Sequence, residues 1–151
     1  MRACNYTLAQ LLPHAAPMIL LDKALESDET TMRAALTIRD ETLFRQERGV
    51  PSYIGLEYMA QTCGAFAGLR ALAAKQPVTL GFLLGTRNMN CKRPWFQLGD
   101  RLVTLATLIW LDEEMSAFDC SIEIGGETVV SAQLNLFRPS DPERFLAKSA
   151  A

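Results

Sequence analysis

The spacing of hydrophobic and polar residues changes character along this chain. Tyr6–Leu12 reads as a short helix that Pro13 stops. Met18–Leu25, MILLDKAL, is an apolar run of strand length, and Thr30–Ile38 alternates like a second strand. Asp40–Val50 is polar, closes on Gly49 and predicts a loop. Then comes Val50–Gly68, VPSYIGLEYMAQTCGAFAG, a long apolar stretch with Glu57 as its only charged residue. Pro51 and Ser52 predict a helix start with Ser52 as N-cap, and no proline recurs before Pro77. A helix over Ser52–Ala74 follows. Four strands are predicted after it, at Val78–Asn90, Arg101–Trp110, Ser116–Ile124 and Thr128–Phe137. Gly125-Gly126 between the last two is a hairpin signal, and Pro139 and Pro142 end the final strand.

Strands, one long helix, then a run of strands argue for an α+β domain with a mostly antiparallel sheet. On the helix, Gly64, Ala67, Gly68 and Ala71 fall along one face, interleaved with Leu56, Met59, Phe66 and Leu69. Each glycine lowers helix propensity by about 1 kcal/mol relative to alanine, so close approach of another backbone is expected there. A sheet curled around one buried helix, the hotdog arrangement, satisfies that face. Such a sheet leaves edges, and pairing across a two-fold axis covers them, so a dimer is expected.

Glu57 is the first candidate for chemistry. An ionised carboxylate is costly to bury without partners, and a lone one in an apolar helix is a candidate general acid or base. The structural alternatives are an exposed helical stripe or an ion pair with Arg70. Gln61, four residues on, shares the Glu57 face and is a supporting residue.

Totals narrow the classes. The 151 residues make one domain, 1–151, with a core over about 6–138 and a peripheral C-terminal tail. Apolar residues at 49% and charged residues at 21% are ordinary for a globular protein, and a net charge of -2 leaves no footprint for nucleic acid. The apolar run Leu11–Leu21 is broken by Pro13, His14 and Pro17, so no signal peptide is read. The central segment carries a Glu, a Gln, a Thr and two glycines, so no membrane span is expected. Cys4, Cys63, Cys91 and Cys120 show no C-x-x-C and read as free thiols of a reducing cytoplasm. One histidine, His14, and no glycine-rich phosphate loop lead to an expectation of no metal and no cofactor.

Three motifs in order resemble the 3-hydroxyacyl-acyl-carrier-protein dehydratases of type II fatty acid synthesis. LLPHAAPMILLDKAL (Leu11–Leu25) is similar to the family's opening L-P-H-R-x-P-x-L-L-V-D. PSYIGLEYMAQ (Pro51–Gln61) is similar to P-G-x-L-x-x-E-A-M-A-Q, with Glu57 at the catalytic acid. GFLLGTRNMNCKRPWFQLGDRL (Gly81–Leu102) is similar to a strand ending K-R-P-x-x-P-G-D. FDCSIEIGGETVVSAQLNLF (Phe118–Phe137) and the L-P-H-x-A-P-M opening resemble more closely the ApeP-like group of aryl polyene clusters. The resemblance implies a hotdog fold and elimination of water from a β-hydroxyacyl thioester on an acyl carrier protein. In that chemistry a histidine removes the α-proton, and a carboxylate of the other subunit helps protonate the leaving hydroxyl. Backbone N–H groups at the helix start, here of Ser52 and Tyr53, polarise the carbonyl.

The match breaks at the histidine. The family places it in G-H-F-P just before the helix, where this chain reads ETLFRQERGVP (Glu41–Pro51), with Leu43 or its neighbours at that position. Three readings stay open. His14 serves instead, against a structural role tying the loop between Pro13 and Pro17. Alternatively the chain is a half-site subunit of a heterodimer with a paralogous dehydratase, or a non-catalytic one. A hotdog acyl thioesterase is the rival enzyme. Arg87, Lys92 and Arg93 are candidates for meeting an acidic carrier protein, and Trp95, Phe96, Trp110, Met59 and Phe66 for lining an acyl tunnel or packing the core. Glu57 is expected to be mostly buried, facing a pocket near a dimer interface.

Overall fold

The computed structural model describes residues 1–14, 17–79, 81–141 and 144. The chain opens with β1 (Arg2–Ala3) and α1 (Leu8–Leu11), then β2 (Lys23–Ser27) and β3 (Thr31–Thr37). β4 (Val50–Pro51) and a 3₁₀ turn (Ser52–Ile54) lead into the long helix α2 (Gly55–Ala73). β5 (Phe82–Cys91), β6 (Trp95–Phe96), β7 (Arg101–Asp112), β8 (Met115–Ile124) and β9 (Glu127–Phe137) complete it. Seven strands form one antiparallel sheet in the order β1-β2-β3-β7-β8-β9-β5, and β4 pairs with β6 separately. This is the expected hotdog fold.

The alternation along each strand decides which side faces the helix. In β7, Leu102, Thr104 and Ala106 are buried, and in β9 Val130, Ala132 and Leu134. They close over the inner face of α2, where Tyr58, Met59, Thr62, Cys63, Ala65 and Phe66 are buried. Phe66 meets Phe118 edge-on at 5.6 Å between centroids. The Thr62 hydroxyl pairs with that of Thr104 at 2.6 Å and donates to the Tyr58 carbonyl, so its buried oxygen is satisfied. Gly125 and Gly126, with φ of 60° and 82°, form the two-residue turn between β8 and β9.

The close approach expected of the helix glycines is real, and its partner is α1 rather than the sheet. A Cβ on Gly68 would overlap the Leu11 carbonyl. Thr7 caps α1 through a capping box with Gln10, which fixes where α1 starts.

Several element boundaries differ from expectation. α1 covers Leu8–Leu11 inside the expected Tyr6–Leu12, and β5 begins at Phe82 rather than Val78. Ser52 is no N-cap: the turn starts after Pro51 with no side-chain cap. β4–β6 pairing governs that start, because it brings the Pro94 carbonyl to the Ser52 N–H at 2.9 Å. The strand expected at Met18–Leu25 begins only at Lys23. Met18 and Leu20 give backbone groups to the Gln61 side chain instead. The expected tail, from Pro142 onward, lies outside the described residues apart from residue 144.

Candidate active site

A cleft of about 710 Å³ follows one side of α2 from Glu57 to Ala74. Glu57, Ala60, Gly64, Ala67 and Arg70 line it from the helix, at the three- and four-residue spacing of one face. His14 also lines it, and Phe82, Leu108, Phe118 and Phe137 form the apolar strand wall. From Glu57 to Arg70 the helix rises about 20 Å, enough to lay out an extended acyl chain.

Glu57 is exposed on this protomer, not buried as expected. It stands in the first turn of α2, on the side the cleft occupies. Among the described residues it has no hydrogen bond and no ion pair. The pairing with Arg70 does not form: that guanidinium lies over the Phe66 ring, 5.7 Å from its centroid.

Gln61 is 4% exposed and fully engaged. Its Nε2 donates to the Met18 carbonyl at 2.7 Å, and its Oε1 accepts from the Leu20 N–H at 2.9 Å. The supporting residue is therefore an anchor for the opening segment. His14 was expected to do that tying. It is exposed instead, and among the described residues its imidazole has no hydrogen-bond partner, neither a backbone carbonyl nor Glu57. Its neighbours Ala15 and Ala16 lie outside the described residues.

Of the two backbone donors expected at the helix start, the Ser52 N–H is committed to Pro94. Tyr53 follows in the first turn, where an N–H has no intrahelical partner. The segment in place of the histidine motif is braced by Arg45, which bonds the Asp40 carbonyl, the Asp40 carboxylate and the Gln46 carbonyl. Leu43, at the histidine's expected position, faces a different and smaller pocket of about 280 Å³. That pocket is shared with Tyr58, a residue the sequence reading passed over. Burial, with a contribution from the Asp22 charge, pushes the Tyr58 hydroxyl up to about 12. The available signal was a bulky tyrosine beside Glu57 where the resembled pattern has alanine.

Other candidates separate cleanly. Phe66 lines the cleft; Met59 and Phe96 are core; Trp95 lies in β6 and Trp110 is exposed on β7. Cys63 is buried against Cys120 with sulfurs 3.5 Å apart, and burial raises its thiol well above the ordinary range, as expected of an inert thiol. Arg93 reaches Asp100 at 3.8 Å, while Arg87 and Lys92 are exposed. No helix among the described residues is long and apolar enough to cross a membrane.

Comparison with known proteins supports the fold and the family resemblance. Residues 6–147 match the family described as ApeP-like, ApeP dehydratase. A 3-hydroxyacyl-acyl-carrier-protein dehydratase FabZ from Bartonella quintana is 31% identical over 84% of this chain and 84% of its own length. Its counterpart from Psychrobacter arcticus is 27% identical over 88% of this chain and 94% of its own. Among solved structures, the dehydratase heterocomplex ApeI:P from Xenorhabdus doucetiae superposes with a TM-score of 0.89 at 27% identity, covering 95% of this chain and 98% of that one. A hypothetical thioesterase from Streptococcus pneumoniae shares the fold alone, with a TM-score of 0.61 at 14% identity over 78% of this chain and 84% of the other. The chain belongs to the ApeP-like dehydratase family.

Proposed function

We propose that this chain is one half of a cytoplasmic dehydratase acting on 3-hydroxyacyl groups carried by an acyl carrier protein, and that a paralogous subunit completes its site. One observation carries the reading: Glu57 and Leu43, which stands at the histidine position, line different pockets of the same protomer. A site that combines an acid at position 57 with a histidine in the preceding loop therefore draws on two chains. The relatives' names, and the assembly of ApeI with ApeP in the Xenorhabdus complex, support the same arrangement.

The chemistry then divides between subunits. The partner's histidine takes the proton from the α-carbon, and those electrons form the double bond to the β-carbon. The β-hydroxyl leaves with a proton from Glu57, as water. On this reading the Tyr53 N–H, at the positive end of the helix, polarises the thioester carbonyl as enolate charge develops. The exposure of Glu57 on one protomer suits an acid that another surface is to cover. Arg87 and Lys92 are the cations offered to an acidic carrier protein.

The test is dehydration of a 3-hydroxyacyl carrier protein by this chain alone, by its paralogue alone and by the two together. Activity that needs both chains and is lost with Glu57→Gln supports the reading. A second reading rests on His14 lining the same cleft as Glu57; full activity of the single chain, abolished by His14→Gln, selects it. Release of free carrier thiol without an enoyl product selects a thioesterase.

A further inference from the structure

The cleft carries charge at its far end, and the proposed chemistry leaves that charge unused. Contacts along α2 give the order of its parts. Gly55 lies against Ile122, Cys63 meets Cys120, and Phe66 meets Phe118, so the helix runs from the end of β8 toward its start. Met115, at that start, pairs with Phe137, and the Arg138 N–H donates to the Glu114 carbonyl at 2.7 Å. Arg138, which lines the cleft, therefore stands at the end away from Glu57.

Arg138 is half-buried, and among the described residues its guanidinium has no hydrogen bond and no ion pair. Burial alone lowers it from its ordinary value, with no carboxylate offsetting the loss of water. An arginine keeps its charge even so, and a desolvated charge without a partner is costly. Two carboxylates line the same end, but neither answers it. Glu114 accepts the Ser140 N–H at 2.6 Å through Oε2, and neither Glu113 nor Glu114 forms an ion pair with Arg138. Carboxylates too remote to offset the guanidinium are also too remote to repel an anion seated on it. Arg70 lines the cleft as well, over the Phe66 ring and in no ion pair, and adds a second positive charge. A methyl-ended acyl chain would complete the burial of Arg138 without giving it a partner. A carboxylate would supply one, in the two-oxygen geometry that a guanidinium matches.

Resting on the dehydratase reading above, we propose that the cleft selects acyl chains that carry a carboxylate at the end far from the thioester, with Arg138 as the residue that holds it. The thioester lies at the start of α2, and the tail follows the Ala60–Gly64–Ala67 face toward Arg138. The roughly 20 Å of helix between Glu57 and Arg70 calls for a long chain.

The test is calorimetric titration of the full-length chain, alone and assembled with its paralogue, with N-acetylcysteamine thioesters of saturated acyl groups from octanoyl to hexadecanoyl. Each length is used with a methyl, a hydroxyl or a carboxylate at its far end. The carboxylate should bind about tenfold more tightly than the methyl, and only in the longer members. Arg138→Met, which keeps an apolar stem and removes the charge, should bring that ratio to about one, and Arg138→Lys should restore part of it. Dehydration is assayed separately, so a carboxylate preference without dehydration would remove the catalytic reading and leave the anion site standing. The proposal is overturned if no member binds, if the carboxylate has no advantage or the same advantage at every length, if the hydroxyl matches it, or if Arg138→Met keeps it. No carboxylate preference together with weaker assembly of Arg138→Met with the paralogue would make the arginine a subunit contact instead.

Discussion

Thr62 and Glu57, on opposite sides of α2, are handled in opposite ways. On the sheet side the Thr62 hydroxyl is buried and doubly bonded, to Thr104 and to the Tyr58 carbonyl. On the cleft side Glu57 is exposed and bonded to nothing among the described residues. Gln61, one turn beyond Glu57, borders the same cleft but behaves like the sheet side, with both ends of its amide committed. Polarity in an apolar helix thus has two meanings. A partnered group holds the architecture, and an unpartnered one is available to a substrate or a second chain.

The largest test of that contrast is Glu57→Gln. It should lower dehydration by the assembled enzyme by about 10²–10⁴-fold while changing stability by less than about 0.5 kcal/mol. Steady-state rates and denaturant unfolding read the two quantities separately, and a stability loss as large as that of a core substitution would break the comparison. Gln61→Leu should do the reverse. It strips partners from the Met18 carbonyl and the Leu20 N–H and should cost roughly 2–4 kcal/mol of stability.

Alkaline unfolding sharpens the sheet side. The folded Tyr58 hydroxyl stands at about 12 against an ordinary 10.0, and Cys63 is raised in the same direction. Above the ordinary values the unfolded chain releases protons that the folded chain keeps, so stability should fall as pH rises through about 10 toward 12. Tyr58→Phe should flatten the upper part of that fall, measured by urea unfolding across the range. The smallest effect belongs to His14→Gln. An exposed imidazole with no bond among the described residues should change stability by less than about 0.5 kcal/mol. On the half-site reading it should also leave the activity of the assembled enzyme unchanged.

Local chemistry made much of this legible in the sequence. Pro51 and the proline-free run to Pro77 bracketed the helix, and Gly125-Gly126 located the last hairpin. Interactions distant in sequence caused the misses. MILL has the composition of a strand, yet Gln61 takes the backbone groups of Met18 and Leu20 from more than forty positions away. Ser52 has the chemistry of a cap, but Pro94 reaches its N–H through the β4–β6 pairing. Gly68 announced a close backbone without saying whose. Glu57 stood out because it was alone, but its exposure depends on which face of α2 the rest of the fold covers, which residue type does not encode.

The Gln61 anchor also bears on the order of folding. Its bonds join residues 41 and 43 positions apart, so they reward the chain only after α2 and the opening segment have come together. Contacts of that kind form late and are weak in the transition state. Weakening them should therefore speed unfolding far more than it slows folding, giving a chevron in which Gln61→Leu lifts the unfolding arm and scarcely moves the other. One side chain would then govern how long the folded protomer lasts while hardly affecting how fast it forms.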